Sequence, residues 1–100
     1  MLDTPENWPL TSYTNDTWTP VVTGLAVVAS IVIANTDAGG PITVAVRVGT
    51  TILVPDTAID PGTTHTVDVR SVNVKAGQTL DLRASLPGIN VLASGAVESP

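Results

Sequence analysis

The residues that could do chemistry in this 100-residue chain are few, and they do not combine into a catalytic or metal-binding set. His65 is the single histidine, and there is no cysteine. Nitrogen and sulfur metal sites, like nucleophile–base pairs, each need at least two suitable side chains. We therefore interpret His65 as a structural residue at the start of a strand. The alternative is a zinc site formed by three copies of His65 on a trimer axis.

The acidic residues occupy turn positions and lack the spacing of metal ligands. Asp37, Asp56 and Asp60 fall in predicted turns, where Asp side chains bond to their own backbone. A calcium loop would need the spacing D-x-[DN]-x-[DN]-G, which "DTAID" does not provide. The sequence also has no nucleophile elbow, phosphate loop or dinucleotide fingerprint. We therefore predict no cofactor, no metal site and no enzymatic activity.

The aromatic residues form the unusual cluster of this sequence. Trp8, Tyr13 and Trp18 all lie in "TPENWPLTSYTNDTW", and the chain has no other aromatic residue. Trp18 adjoins the first alternating segment, so we expect it to cap the core of the domain. Trp and Tyr are residue types that anchor protein interfaces. For Trp8 and Tyr13, which have polar and proline neighbours, we predict docking on another chain.

The predicted partner-binding residues are Pro5, Trp8, Pro9, Leu10 and Tyr13. Two other interpretations remain open for the aromatic residues among them. They could fold back and plug one end of the domain, or they could stack on a sugar ring.

The elements that position these residues are predicted to be β-strands. Val, Ile and Thr account for 36 of the 100 residues, and their branched side chains favour a pleated strand over a helix. About seven short strands are separated by turn signals, over residues 17–22, 25–36, 42–48, 51–54, 65–74, 79–86 and 91–97. This pattern predicts an all-β fold, a small antiparallel β-sandwich, with a small β-barrel as the alternative.

Alternation along the strands predicts which side chains face the core. In "ITVAVRV" Arg47 points outward, and in "TLDLRASL" Asp81, Arg83 and Ser85 do. Pro20 confines its strand to an edge or a bulge. Residues 55–62 are expected to be a loop. Pro5 and Pro9 favour extended geometry, so residues 1–16 are predicted to be an N-terminal arm and residues 17–100 the sandwich domain.

Charge and hydropathy exclude several classes of partner. The net charge is −5, and the four cations are Arg47, Arg70, Lys75 and Arg83, which form no basic patch for nucleic acid. The longest apolar run, residues 25–34, is too short to span a bilayer. The acidic residues near the N-terminus are atypical of a signal peptide. We expect neither nucleic acid nor membrane as a partner.

Three segments resemble a group of small virion proteins of tailed bacteriophages. They read "VVASIVIANTDAGGPITVAVRV" (residues 27–48), "LVPDTAIDPGTT" (53–64) and "VNVKAGQTLDLRAS" (72–85). The group shares the run "SSIVIANT", a Val-rich alternating strand, an "I-P-x-G" loop and a closing "L-x-A-G-D-x-L-R-V-x-A". Here Gln78 stands where the group often has an acid. The resemblance covers residues 17–97 and leaves the N-terminal arm outside it.

The resemblance implies a structural component of the phage particle, located in the virion and assembled in the host cytoplasm. The expected role is a capsid decoration (cement) protein that binds the outer capsid surface and stabilises the head through its N-terminal arm. The expected partners are the major capsid protein or other virion proteins, and the chain is expected to form a homo-oligomer, with a trimer favoured. The alternatives are a tail, neck or fibre-associated virion protein and a carbohydrate-binding surface module.

Overall fold

The structure is a computed structural model that describes residues 2–37 and 39–98. These residues form eight β-strands and no helix, and so none of them lies in a helix that could span a membrane. The strands are β1 (Leu2–Leu10), β2 (Thr19–Thr23), β3 (Ala26–Asn35), β4 (Ile42–Val48), β5 (Thr51–Ile59), β6 (Thr64–Val74), β7 (Thr79–Ala84) and β8 (Ile89–Glu98). The all-β class predicted from the composition is confirmed.

The strands form two antiparallel four-stranded sheets packed on one another. Sheet I has the order β1-β8-β3-β6, and sheet II has the order β2-β7-β4-β5. Both sheets remain open at their edges, which confirms the sandwich over the closed barrel. The structure has one strand more than the seven predicted, and the additional strand is β1.

The core between the sheets is aliphatic. It consists of Val, Ile, Leu and Ala side chains from both sheets, and Trp8, Leu10 and Tyr13 are half-buried against it. Cross-strand partners lie on the same face of a sheet, so Ala93 of β8 and Trp8 of β1 both point toward this core.

The first part of the predicted N-terminal arm, residues 2–10, is an edge strand of the sandwich. Leu2–Leu10 is extended, as its prolines indicated, but it pairs along its length with β8. Pro5 and Pro9 lie at edge positions where the missing N–H is not needed by the ladder. Asn7, between them, donates its N–H to its neighbour Glu6 Oε1 at 3.0 Å and not to β8. Residues 2–10 of the predicted arm therefore do not stand apart from the sandwich.

A bulge in β3 changes the face assignment predicted from simple alternation. The pairing of β3 with β6 and with β8 shifts register between Val28 and Ser30. An extra residue at this point reverses the alternation. Val28 is therefore buried before the bulge and Ile31 and Ile33 after it, whereas Leu25, which strict alternation would place on their face, is 49% exposed.

The remaining strand predictions differ from the structure mainly at one boundary. β2 is an edge strand with a register shift next to Pro20, as predicted. Gly49 and Thr50 form the two-residue hairpin that joins β4 and β5, with Val48 paired to Thr51. However, β5 continues to Ile59, so the first half of the predicted 55–62 loop is strand. Pro55 is tolerated there because β5 is the outer strand of its sheet.

Asn35 connects the two sheets at one end of the sandwich. Its side chain is 1% exposed at the end of β3, and its Nδ2 donates to Ile59 O at 2.8 Å and to Gly40 O at 3.1 Å. Its Oδ1 accepts the Asp37 N–H at 2.9 Å. Because a buried amide is stable only when its donors and acceptor are satisfied, these bonds determine the paths of the β3–β4 connection and of the end of β5.

Asn35→Asp is expected to lower the free energy of unfolding by about 2 kcal/mol or more. The substitution replaces the two donors by a carboxylate oxygen that faces two carbonyl oxygens in a buried site. Asn15→Asp, the same change at an exposed turn position, is the matched control and is expected to have little effect. Urea unfolding of both variants at neutral pH tests this prediction, and equal midpoints for the two would contradict it.

Gly95→Ala is expected to destabilise the fold by about 1–3 kcal/mol. Gly95 lies opposite Val28 at the β3 bulge, and a Cβ at this position would overlap the carbonyl oxygen of Val27. The control is Ser94→Ala, one residue earlier, whose side chain lies on the outer face of the same strand. A lower urea midpoint for Gly95→Ala alone supports the close approach of the two backbones, and an unchanged midpoint argues against it.

Candidate functional site

The residues predicted to bind a partner are divided between two sides of β1. Trp8, Leu10 and Tyr13 are half-buried against the core of their own chain. Pro5 and Pro9 are exposed on the other side of the strand. The structure therefore brings Trp8 and Leu10 together but separates them from the prolines. Binding of a partner by these five residues stays a prediction. Because Trp8, Leu10 and Tyr13 pack within their own chain, that prediction can no longer be based on their lacking an intramolecular role.

Tyr13 fastens the β1–β2 connection to the turn between β7 and β8. Its hydroxyl donates to Leu86 O at 2.6 Å and accepts the Ile89 N–H at 3.0 Å. Burial of the phenol raises the pKa of Tyr13 above its usual 10.0, and the hydrogen bond from the Ile89 backbone opposes part of this rise. Both contacts assign Tyr13 a role in closing one end of the sandwich.

Trp18 lies on the outer face of sheet II, not on the core as expected. The Arg47 Cζ lies 4.3 Å from the centroid of the Trp18 ring, and the Arg83 Cζ lies 4.7 Å from it. Both distances are within the range of cation–π contacts. The placements expected for the tryptophans are thus exchanged: Trp8 packs on the core, and Trp18 packs on two arginines outside it.

The arginines reach Trp18 because β4 and β7 are neighbours in sheet II. Arg47 is paired with Asp81, and Arg83 with Ala45, on the face opposite the core. Asp81 and Ala45 are nevertheless only 6% and 2% exposed. The Trp18 and arginine side chains therefore form a layer over this part of the sheet. We call Trp18, Arg47, Arg83, Asp81 and Asp56 the Trp18 cluster.

Two ion pairs of different character hold this cluster. Asp81 accepts from Arg47 Nε at 3.1 Å and from Thr79 Oγ1 at 2.6 Å, so its buried carboxylate is paired. Arg83 Nη2 donates to Asp56 Oδ1 at 2.9 Å, and this pair is more exposed than the first because the Asp56 side chain is 64% exposed. An exposed pair contributes at most about 1 kcal/mol. Arg47 and Asp81 therefore form the fixed part of the cluster, and Arg83 and Asp56 the part that can exchange partners.

A polar cleft adjoins the cluster at Arg83. It has a volume of about 140 Å³ and is lined by Asp16, Thr43, Asp56, Arg83 and Ser85. Ser85 Oγ accepts the Thr43 N–H at 3.1 Å, and Asp16 N donates to Ala84 O at 2.8 Å. The cleft thus presents carboxylates, a guanidinium and hydroxyls, a composition suited to hydrogen-bonded recognition.

His65 lies away from both the polar cleft and the Trp18 cluster. That residue lies on β6 of sheet I, opposite Ile33, which is a core residue of β3. Within residues 2–37 and 39–98, no three side chains of the His, Cys, Asp or Glu type come together as metal ligands. The Trp18 cluster and the polar cleft present an aromatic ring, charged groups and hydroxyls that are suited to contact with another molecular surface. They bring no histidine to Ser85 that could act as its base.

The Trp18 cluster was missed in the sequence, although part of its signal was present. Arg47 and Arg83 were both predicted to point outward from alternating strands, and the structure confirms this. The sequence did not show that their strands are adjacent or that the residue before β2 crosses over them. Comparisons with protein families, with curated proteins and with solved structures found no match.

The free energy of unfolding is expected to fall as the pH rises above 10, because of Tyr13. The raised pKa means that the unfolded chain loses the phenol proton first, so high pH favours unfolding. Below pH 10 this contribution is fully present. Tyr13 is the single tyrosine of the chain, so the ultraviolet absorbance of phenolate measures its titration directly.

Tyr13→Phe is the control for this measurement. It is expected to lose about 1–2 kcal/mol of stability with its two hydrogen bonds, and to lose the alkaline dependence that Tyr13 causes. A phenol that titrates at or below its usual pKa in the folded protein, or an unchanged pH dependence in the variant, would contradict the assignment.

Proposed function

We propose that this protein is a non-enzymatic structural component of a tailed-phage virion, a capsid decoration protein that binds the outer capsid surface. The observation that carries the proposal is the Trp18 cluster on the outer face of sheet II. The partner is the major capsid protein or another virion protein. The binding surface assigned here is sheet II, since β1 is part of the sandwich.

The composition of the cluster supports recognition of a protein surface. Trp and Arg are enriched among the residues that contribute most to protein–protein binding. Here the indole is held in place by Arg47, whose position is set by the buried Asp81. A preorganised aromatic side chain loses little conformational freedom on binding, which favours affinity. The exposed Arg83–Asp56 pair supplies charges of both signs next to it.

The motifs that resemble phage virion proteins support the proposal at the level of the fold. The Asn of "SIVIANT" is Asn35, which connects the two sheets through buried hydrogen bonds. Gly62 and Gly77 have positive φ angles of 74° and 82°, which explains glycine in the two quoted turns. These residues specify a sandwich, and the step from this fold to a virion function is an analogy.

A tail, neck or fibre-associated role remains the alternative within the virion. The same surface would serve there, with fewer copies in each particle. Localisation of the chain by electron microscopy of purified particles separates the two roles. Density distributed over the head supports decoration, and density confined to the tail or neck overturns it.

A carbohydrate-binding module is the second candidate, favoured by one observation. The polar cleft lies beside Trp18 because Arg83 contacts the ring and lines the cleft. An indole next to carboxylates and hydroxyls can stack on a sugar and bond to its hydroxyl groups. The guanidinium groups over the ring oppose this role, since they occupy the surface on which a sugar would stack.

Trp18→Ala is expected to weaken binding to particles that lack this protein by at least about tenfold, the loss of one moderate hot-spot side chain. The matched control is Leu92→Ala, which removes an exposed apolar side chain from the outer face of sheet I and should bind like wild type. Co-sedimentation of purified protein with such particles measures the effect, and circular dichroism verifies that both variants are folded. Equal binding by wild type and Trp18→Ala would overturn the proposed surface. Binding to immobilised glycans that requires Trp18, without binding to particles, would instead identify the carbohydrate-binding module.

A further inference from the structure

We propose that Arg47 and Arg83 form a binding site for a carboxylate group, supplied by an aspartate or glutamate side chain of the partner protein. The site deepens the proposed function, and the identity of the partner rests on that function. The site itself rests on the geometry of sheet II, where both guanidinium groups contact the ring of Trp18.

Positive charge is concentrated at this one place in an otherwise acidic chain. The net charge is −5, and Arg47 and Arg83 are two of only four Lys and Arg residues. Arg47 is paired with Asp81 and Arg83 with Ala45, which makes the two arginines diagonal neighbours on the outer face of sheet II. Their Cζ atoms lie 4.3 Å and 4.7 Å from the Trp18 ring centroid, so they are no farther apart than these two distances together. One carboxylate can therefore interact with both arginines.

The arginines retain hydrogen-bond donors for such a carboxylate. A guanidinium group has five N–H groups in its own plane, and contact of that group with an aromatic ring does not consume them. Within residues 2–37 and 39–98, the side-chain hydrogen bond of Arg47 is the one from Nε to Asp81, and that of Arg83 is the one from Nη2 to Asp56. The Arg47 and Arg83 side chains are 31% and 36% exposed, so solvent and partner can reach them.

Asp56 occupies the position on Arg83 that we assign to the partner's carboxylate. The Asp56 side chain is largely exposed, and an exposed ion pair contributes little to stability. Asp81 differs, because it is nearly buried and also accepts the hydroxyl of Thr79, so it stays bonded to Arg47. The partner's carboxylate therefore displaces Asp56 and not Asp81. Arg83 exchanges one carboxylate for another, while Asp56 returns to water.

An apolar side chain next to Arg47 favours this exchange. Ile52 of β5 is the cross-strand partner of Arg47 and is 51% exposed. Arg47 thus lies between Ile52 and Trp18 on the outer face of sheet II. A partner surface that covers these two side chains excludes water from the arginines, and an ion pair is stronger where water is excluded. We therefore expect the acidic residue of the partner to have an apolar neighbour.

Substitutions of Arg83 and Asp56 are expected to change carboxylate binding in opposite directions. Arg83→Gln should weaken binding by at least about tenfold, because a charge-assisted hydrogen bond is lost. Asp56→Asn should tighten binding by about two- to fivefold, because the competing carboxylate is removed from a weak ion pair. If the Arg83–Asp56 pair only held the surface in shape, both substitutions would weaken binding.

Two substitutions are matched controls for the change of charge. Asp16→Asn removes a carboxylate that lines the same cleft as Arg83 without being its hydrogen-bond partner. Asn is tolerated at the φ of 57° of this position, and the variant should tighten binding less than Asp56→Asn does. Arg70→Gln removes a guanidinium group from β6 of sheet I and should leave binding unchanged.

The probe is a triglutamate peptide with an acetylated and an amidated end, titrated into isotope-labelled protein and followed by nuclear magnetic resonance. The indole N–H signal of Trp18 is expected to shift to saturation and that of Trp8 to stay in place, with Trp8→Phe identifying the two signals. A trilysine peptide of the same design, and sodium chloride at equal ionic strength, should not produce this shift. Co-sedimentation with particles that lack the protein is the second measurement, and circular dichroism verifies the fold of every variant.

The two measurements separate the carboxylate site from the proposed function. Peptide binding with the expected effects of the variants, without binding to particles, supports the site and overturns the virion partner. Particle binding that requires Trp18 but neither responds to Arg83→Gln nor to Asp56→Asn overturns the site and leaves the proposed function in place. The site is also overturned by a triglutamate peptide that gives no saturable shift of Trp18, by weaker binding of Asp56→Asn, or by equal tightening in Asp16→Asn and Asp56→Asn.

Discussion

The side chain of Asn35 satisfies its hydrogen bonds at a point where three segments of the chain meet. Its amide donates to the carbonyls of Gly40 and Ile59 and accepts the N–H of Asp37, all within the buried end of the sandwich. The rest of the core is aliphatic, and Val, Ile and Leu side chains pack with little preference for one register over another. A buried polar group is favourable only in the arrangement that satisfies it, so this amide selects one alignment of the sheets. Throughout the described residues, every buried side-chain nitrogen and oxygen has a partner.

With the sheets aligned in this way, the two outer faces differ in chemistry. Sheet II carries ion pairs and an indole ring that cover the middle of β4 and β7. Sheet I carries serine, alanine, valine, proline and the exposed Leu92 on three of its four strands, β1, β8 and β3, with Asp68 beside Ser30 on the fourth. A charged aromatic surface recognises a partner through specific bonds, whereas a neutral flat surface associates through shape and area. The two outer faces lie on opposite sides of a thin sandwich and are separated by its aliphatic core.

The sequence was sufficient for most of the strands because their alternation is strong. The strand predicted at residues 42–48 has the observed bounds, and the one predicted at 79–86 ends two residues earlier, at Ala84. Arg47 and Arg83 point outward from these strands, as expected. β1 was missed because its inward positions mix Thr4 and Glu6 with Trp8 and Leu10, so hydrophobic alternation is weak there. The tryptophans were exchanged for a related reason. Hydrophobic periodicity indicates which face of a strand a residue occupies. Trp18 precedes β2, so the position of its side chain depends instead on which strand lies beside β2. That neighbour, β7, is about sixty residues away in the sequence, and no local pattern encodes the pairing.

The pairing of β1 with β8 has a consequence for the order in which the chain folds. Residues 2–10 are synthesised before the other strands of the sandwich, yet their partner strand is residues 89–98. Until β8 is available, β1 has no place in the sheet, and Trp8 and Leu10 remain without the core that covers them. An unpaired strand that exposes apolar side chains is vulnerable to association with other chains during this interval. Pro5 and Pro9 remove hydrogen-bond donors from it, which makes it a poor template for such association. The residues that seal one edge of the finished sandwich therefore also protect the nascent chain while it waits for its last strand.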